Sequence, residues 1–135
     1  MRRLLAKLVV GWTYAGLRRG NPTRARALFS RDGRLVFSGT HSWSADTTDP
    51  VAREAWFERF AALRPQLRAR DVLVSGLPWA MRIAVLFEDA VENAEGEVIY
   101  RNRGVQYLVT RWGRVILDEV HLDTQRVAQL DAAGP

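Results

Sequence analysis

Apolar residues near the start of the chain recur with the spacing of a helix. Leu5, Leu8, Val9 and Trp12 lie at positions i, i+3, i+4 and i+7, which places them on one face of a helix predicted over residues 3–17. This helix ends before Gly20, a residue type that commonly follows a helix. The pattern predicts an amphipathic helix that packs on the rest of the domain.

Two further helices are predicted from one start signal, a capping residue followed by proline. Asn21-Pro22 begins a short second helix, and Asp49-Pro50 begins a third helix that ends at Pro65. A strand is predicted over 34–38 and a polar loop over 40–48. The first half of the chain is therefore mainly helical, with one strand between the second and third helices.

The second half of the chain is predicted to be a meander of four strands, over 72–75, 80–88, 97–110 and 114–123. The last two strands are too long to stay flat in a small domain, so the sheet must curl and form a concave face. Helices followed by strands indicate an α+β fold, here in one domain over 1–135. The expected architecture is a curved, mostly antiparallel sheet wrapped around N-terminal helices with a central pocket.

The register of the last two strands decides which side chains face that pocket. If residues 112–113 form a two-residue hairpin loop, Tyr107 pairs with Asp118 and Val105 pairs with Val120. Side chains alternate along a strand, so these four residues would share one mostly apolar face. A slip of one residue would exchange the two faces.

The charge of the chain is spread rather than concentrated. The formal net charge is +5, and 19 of the 20 basic residues are arginine, Lys7 being the one lysine. The arginines are scattered along the sequence, whereas a nucleic-acid binder gathers them on one face, so a solvated surface is the better interpretation. No membrane association is expected, because no apolar stretch is long enough to span a bilayer. A cytoplasmic location is predicted, consistent with the absence of cysteine.

Several motifs resemble one known superfamily. They are Gly20-Asn-Pro between two helices, Leu28-Phe29-x-x-Asp32 before a strand, Tyr100-x-Asn102-x-Gly104-Val-Gln106, and the closing segment from Trp112-Gly113 to Asp123. This pattern resembles the SnoaL-like branch of the nuclear-transport-factor-2-like superfamily over nearly the whole chain. The resemblance implies a cone fold, in which helices close a curved sheet around a pocket, and frequent homodimers. Ketosteroid isomerases, limonene epoxide hydrolases and polyketide cyclases belong to the same superfamily.

The catalytic residues of two member families do not carry over. Matching the ketosteroid isomerase pattern puts Phe37 at the position of the base, Trp12 at the tyrosine and Val105 at the protonated aspartate. The Asp–Arg–Asp relay of the epoxide hydrolases would fall on Ile83, Val85 and Val120, in order along the chain. The resemblance therefore implies the fold and a pocket, but neither of these mechanisms.

Asp118 is the main candidate for chemistry. A carboxylate on an apolar concave face has a raised pKa because burial disfavours its charged form, which suits acid–base catalysis near neutral pH. The alternative is a rim aspartate paired with Arg101 or Arg103. His41, in the loop expected to border the pocket, is the candidate partner, its alternative being an exposed loop histidine. The predicted ligand contacts are Tyr107, Trp12, Val105, Trp56, Phe37 and Val120.

Other chemistry finds little support in the sequence. His121 and Asp123 share a strand face without a third ligand, so no metal site is expected, and no cofactor-binding motif is present. The expected partners are a small hydrophobic, oxygen-bearing molecule and a second copy of the chain. Two hypotheses remain: a cofactor-independent isomerase, cyclase or hydrolase, or a module that binds a ligand or dimerises without catalysis.

Overall fold

Four helices surround one face of the sheet in the computed structural model, which describes residues 1–133. The third of them begins where the sequence predicts, because the Asp49 side chain accepts a hydrogen bond from the Val51 backbone N–H at 3.2 Å and Pro50 needs no backbone partner. The helices are α1 Arg2–Arg18, α2 Thr23–Leu28, α3 Pro50–Ala62 and α4 Thr124–Ala133.

Within residues 1–133, six strands form one sheet in the order β2-β1-β6-β5-β4-β3. Every neighbouring pair is antiparallel except β1 with β6, which is parallel. The strands are β1 Phe29–Phe37, β2 Ala45–Thr47, β3 Arg68–Leu77, β4 Ala80–Glu92, β5 Val98–Arg111 and β6 Arg114–Leu122. The predicted α+β class and the mostly antiparallel sheet are therefore confirmed.

The main core lies between the concave face of the sheet and the helices. Leu35, Val72 and Val85 are at most 1% exposed, and they pack with Tyr14 and Leu17 of α1. Burying an aliphatic side chain of this kind contributes about 1.5–3 kcal/mol. Helices α1 and α3 cover the concave face, and the two cavities that Tyr14 and Leu17 line lie between these helices and the sheet.

The last helix, α4, is not predicted from the sequence. Asp123 ends the strand and caps the helix, since its Oδ1 accepts the backbone N–H groups of Gln125 at 3.1 Å and Arg126 at 3.3 Å. Val127 and Leu130 of α4 are buried in a second apolar cluster beside the main core. The segment is short, and its apolar face consists of these two positions three residues apart, so the helical pattern in the sequence is weak.

Candidate functional site

The register of the β5–β6 hairpin differs by one residue from the prediction. Arg111 pairs with Arg114 as expected, but a β-bulge at Ile116 makes Leu108, rather than Tyr107, the partner of Asp118. The inserted residue exchanges the two faces of β5 relative to β6. As a result Gln106, which pairs with Val120, faces the helices with Asp118, whereas Tyr107 and Val105 face outward.

Asp118 lies at the end of a chain of hydrogen bonds that starts on α1. The Tyr14 hydroxyl donates to Gln106 Oε1 at 2.8 Å, and Gln106 Nε2 donates to Asp118 Oδ1 at 3.0 Å. Three different elements, α1, β5 and β6, supply the three side chains. The amide of Gln106 is thereby oriented with its N–H toward the carboxylate, which positions Asp118 without neutralising it.

Burial sets the acid–base properties of this chain. Asp118 and Tyr14 are each 5% exposed. Burial raises the pKa of Asp118 to about 6, an effect that the hydrogen bond from Gln106 partly opposes. The pKa of Tyr14 is raised far above its usual value, first by burial and then by the nearby charges of Asp118 and Asp89, so its hydroxyl stays a donor. Asp118 can therefore exchange a proton near neutral pH while Tyr14 does not.

Two adjacent chambers lie between the helices and the sheet, and Asp118 lines both of them. The aromatic chamber, of about 50 Å³, is lined by six aromatic side chains and two carboxylates. The aliphatic chamber, of about 280 Å³, lies between α1 and strands β4, β5 and β6. Tyr14, Gln106 and Asp118 line both chambers, so the hydrogen-bonded chain borders all of the cavity.

Asp89 is a second buried acid in the aromatic chamber. It is 6% exposed, and its Oδ1 has no hydrogen-bond partner among residues 1–133. Burial raises the pKa of Asp89 to about 7. Asn102, its neighbour on β5, does not bond to it, because its side-chain nitrogen donates to the Tyr100 hydroxyl and the Asp123 carbonyl oxygen. The carboxyl group of Asp89 thus faces the chamber with free bonding capacity.

Three of the predicted ligand contacts line the cavity. Phe37, Trp56 and Val120 border the aromatic chamber, in which the rings of Phe37 and Trp56 lie 5.2 Å apart. The Trp56 indole N–H donates to the Trp43 carbonyl oxygen at 2.9 Å, which orients its ring. These three side chains reach the cavity from β1, α3 and β6, as ligand contacts must. Their part in binding a ligand stays a prediction.

The other three predicted contacts lie outside the cavity. Tyr107 and Val105 are on the convex face of the sheet because of the bulge, and Val105 is 39% exposed. Trp12 is 47% exposed on the outer side of α1, where the Arg24 guanidinium lies 4.9 Å from its ring. Of the aromatic side chains on α1, it is Tyr14, two residues after Trp12, that lines the cavity.

His41 also does not reach either chamber. Its Nε2 lies 2.9 Å from the Ser38 carbonyl oxygen, to which it donates, and its Nδ1 accepts the Trp43 backbone N–H at 3.1 Å. Both ring nitrogens are therefore engaged by backbone groups of the loop, and the ring packs edge-on against Phe37 at 5.7 Å. His41 is therefore not placed beside Asp118 in the cavity, and its hydrogen bonds hold the loop together, while its catalytic role stays a prediction.

The sequence prediction missed Tyr14, Gln106 and Asp89. A signal for Asp89 exists, because inward positions of β4 alternate from Met81 to Val91, and Asp89 is the one polar residue in that series. Gln106 was assigned to the wrong face by the register error. Tyr14 was overlooked because α1 is apolar on more than one side.

The described residues hold no group of three or more histidine, cysteine, aspartate or glutamate side chains arranged to bind a metal ion. No described helix combines the length and the apolar character needed to cross a bilayer. The side chains that line the cavity include carboxyl, amide and hydroxyl groups.

Comparison with known proteins identifies the fold. No family model and no curated protein matches the sequence. Among solved structures, Bal32a from a soil-derived mobile gene cassette is 18% identical, with a TM-score of 0.76 over 96% of this chain and 98% of that chain. A protein from Xanthomonas campestris assigned provisionally as a polyketide cyclase is 15% identical, with a TM-score of 0.62 over 96% and 98%.

A third solved structure has the same fold. An NTF2-like protein of unknown function from Burkholderia pseudomallei is 20% identical, with a TM-score of 0.71 over 96% of this chain and 97% of that chain. Identities this low establish architecture and leave activity open. The chain has the cone fold of the nuclear-transport-factor-2-like superfamily, as its sequence motifs imply.

Proposed function

We propose that the cavity binds a small hydrophobic, oxygen-bearing molecule and that Asp118 acts on it by acid–base chemistry. The observation that carries the proposal is a carboxyl group 5% exposed, held by Gln106 and bordering both chambers. With a pKa of about 6, Asp118 is mostly ionised at neutral pH and is suited to remove a proton as a general base. Isomerisation, cyclisation and hydrolysis without a cofactor can each begin with removal of a proton by a general base.

The lining of the aliphatic chamber supports an oxygen-bearing ligand. Thr110 is 6% exposed, lines this chamber, and its hydroxyl has no hydrogen-bond partner among the described residues. A buried hydroxyl without a partner costs about 1–3 kcal/mol, which a ligand oxygen can recover. The rest of the chamber is mainly aliphatic, which favours a hydrophobic body for the molecule. The fold neighbour assigned provisionally as a polyketide cyclase is consistent with substrates of this kind.

Filling the aliphatic chamber is expected to abolish ligand binding. Val9 lines this chamber from α1, so Val9→Trp would put an indole ring in the space that the ligand needs. The measurement is a melting-temperature screen with hydrophobic ketones, epoxides and polyketide fragments, followed by mass spectrometry for conversion of each compound that binds. We expect a compound that raises the melting temperature of wild type to have no effect on Val9→Trp.

Leu8→Trp is the matched control for this experiment. Leu8 is 63% exposed on the outer side of the same helix, so the added ring meets solvent and binding should remain as in wild type. If no compound raises the wild-type melting temperature or is converted, the proposed function is wrong. If a compound binds equally to wild type and Val9→Trp, its site is not this cavity.

The second candidate function is a dimerisation or ligand-binding module without catalysis, and the convex face of the sheet supports dimerisation. Leu73, Leu86 and Val105 are 53%, 41% and 39% exposed there. Leu86 pairs directly with Val105, and Tyr107 lies in a shallow groove with Leu73 on the same face. Exposed apolar side chains grouped on one face mark an interaction surface. We propose that this face binds a second copy of the chain in a homodimer.

Val105→Arg is expected to convert this dimer into a monomer, because it places a charge in the centre of the apolar group on the convex face. Light scattering at micromolar concentration measures the mass directly. Val51→Arg is the control, since Val51 is 73% exposed on α3. A wild-type protein of monomeric mass would contradict the homodimer, and a dimeric Val105→Arg would move the interface elsewhere.

A further inference from the structure

The aromatic chamber has an unbalanced set of charged groups. Its lining includes two carboxyl groups, those of Asp89 and Asp118, but no arginine, lysine or histidine among the residues described for the chain. Only Asp118 has a hydrogen-bond donor beside it, the amide of Gln106. Buried acids are ordinarily paired, because an isolated charge is costly in a medium of low dielectric constant. The chamber therefore lacks a positive partner for its acids.

Two partly or fully buried arginines of the helices, Arg18 and Arg53, are turned elsewhere. Arg18, at the end of α1, donates to the Leu67 carbonyl oxygen at 2.6 Å and lies against the outer surface. Arg53 of α3 is buried, but its guanidinium donates to the Gly33 carbonyl oxygen at 2.7 Å and covers the Phe29 ring. Neither arginine neutralises Asp89. No residue of the described chain supplies Asp89 Oδ1 with a donor.

The remaining walls of this chamber suit a cation. Phe37, Trp56, Phe60 and Phe87 are four of its six aromatic residues. Aromatic rings attract organic cations through their electron-rich faces, and sites for substituted ammonium groups are commonly built from such rings with a carboxylate. A volume of about 50 Å³ admits a few non-hydrogen atoms, enough for an ammonium group and the carbon that bears it. The rest of a ligand would extend into the aliphatic chamber.

We propose that the cavity takes a hydrophobic amine, whose ammonium group binds Asp89 in the aromatic chamber and whose apolar body occupies the aliphatic chamber. This deepens the proposed function, on which it rests for the identity of the cavity: the molecule carries an amino group as well as the oxygen function. An ammonium group supplies three donors and a positive charge, and so satisfies the unpaired Asp89 oxygen. An anionic ligand is excluded by repulsion from the two carboxylates.

Binding of the amine depends on the ionisation of the acids. The titratable groups that sense Asp89 are Tyr14 from α1 and Tyr100 from β5, and Asp118 from β6 borders the same chamber. The three α3 side chains of the chamber are aromatic and carry no charge. Asp89, with a pKa of about 7, becomes ionised between pH 5 and pH 8, while a primary amine stays protonated to about pH 10. Amine affinity therefore rises over this range.

The test uses three probes of nearly equal shape. Isothermal titration measures binding of 2-phenylethylammonium, its neutral analogue 2-phenylethanol, and the anion 3-phenylpropanoate, to wild type and to Asp89→Asn at pH 8. We expect the amine to bind wild type at least about tenfold more tightly than the alcohol, since a charge-assisted hydrogen bond replaces a neutral one. Asp89→Asn should lose this preference. Asp46→Asn, which removes an exposed acid on β2, should keep it.

A second measurement does not depend on the folding of a variant. In wild type, affinity for the amine should rise by about tenfold or more from pH 5 to pH 8, whereas affinity for the alcohol should stay constant. Equal binding of amine and alcohol, absence of amine binding, or a preference retained in Asp89→Asn would each overturn the proposal. The proposed function is tested separately, by whether an oxygen-bearing compound is converted and whether that conversion requires Asp118. The proposed function can therefore hold while the amine proposal fails.

Discussion

Replacing Asp118 with asparagine is expected to lower the turnover number of any compound that the cavity converts by about a hundredfold or more. The amide keeps the shape of the carboxyl group and can still bond to Gln106, but it cannot accept a proton from a substrate. Because the substitution removes proton transfer rather than contact area, the Michaelis constant should change little. Steady-state kinetics of wild type and Asp118→Asn measure both quantities.

The pH profile separates catalysis from a structural role of Asp118. If the ionised carboxylate is the general base, the wild-type rate should increase as pH rises through about 6. This increase of the rate with pH should be absent from the residual activity of Asp118→Asn. Asp46→Asn, an exposed aspartate paired with Arg34, is the control and should retain the wild-type profile. An Asp118→Asn protein with wild-type turnover would show that Asp118 is not the catalytic group.

The wild-type free energy of unfolding is expected to fall as pH rises through about 6 and 7. An aspartate in the unfolded chain titrates near 3.9. The pKa values of Asp118 and Asp89 in the folded protein are about 6 and about 7, so between pH 4 and pH 7 the folded protein holds protons that the unfolded chain has released. The contribution of these two protonated carboxyl groups to the free energy of unfolding is fully present below about pH 4 and is lost above about pH 7.

The size of this change in the free energy of unfolding follows from the pKa shifts of the two aspartates. At about 1.4 kcal/mol for each pH unit, ionisation costs the folded state on the order of 3 kcal/mol at Asp118 and 4 kcal/mol at Asp89. Asp118→Asn and Asp89→Asn remove these costs, so each variant should be more stable than wild type at pH 8. Urea unfolding at pH 4.5 and pH 8 measures the difference, which should shrink strongly at the lower pH.

Comparison of each variant with wild type also removes contributions from other acids. Hydrogen bonds from Arg34 and Ser42 lower the pKa values of the exposed Asp46 and Asp131, respectively. The stability that these two carboxylates contribute to the folded protein is lost at acid pH, and to the same extent in wild type and in each variant. A variant whose stability differs from wild type by the same amount at both pH values would contradict the raised pKa of the acid that it removes.

Most local elements of this fold could be predicted from the sequence because each of them has its own signal, whereas α4 and the short strand β2 were not predicted. Helix α1, predicted over 3–17, is observed over Arg2–Arg18, and the capped start at Asp49-Pro50 is observed in α3. The long alternating strands, with helices preceding them, were sufficient for the α+β class. Alternation within β6 also puts Asp118 and Val120 on one face, which is a property of a single strand and needs no partner.

The partners of Asp118 were decided by tertiary structure. A bulge at Ile116 shifts the register by one residue, so Gln106 rather than Tyr107 lies beside Asp118. The sequence around Ile116 carries no glycine or proline that marks a bulge. Which residue is extruded depends on how both strands pack against the helices, and a period of two is satisfied equally well by either register.

The rotation of α1 about its own axis, which decides the face that it turns toward the sheet, could not be predicted from the sequence either. Helical spacing determines which residues share a face, but α1 is apolar on opposite sides, with Leu4 and Leu8 exposed while Val10 and Tyr14 are buried. Only packing against the concave sheet selects the inward side, and with it Tyr14 instead of Trp12. The sequence by itself determined most of the elements and the inward position of Asp118, whereas the hydrogen-bonded site was decided by the packing of α1, distant in the chain, against the β5–β6 hairpin and by the register of that hairpin.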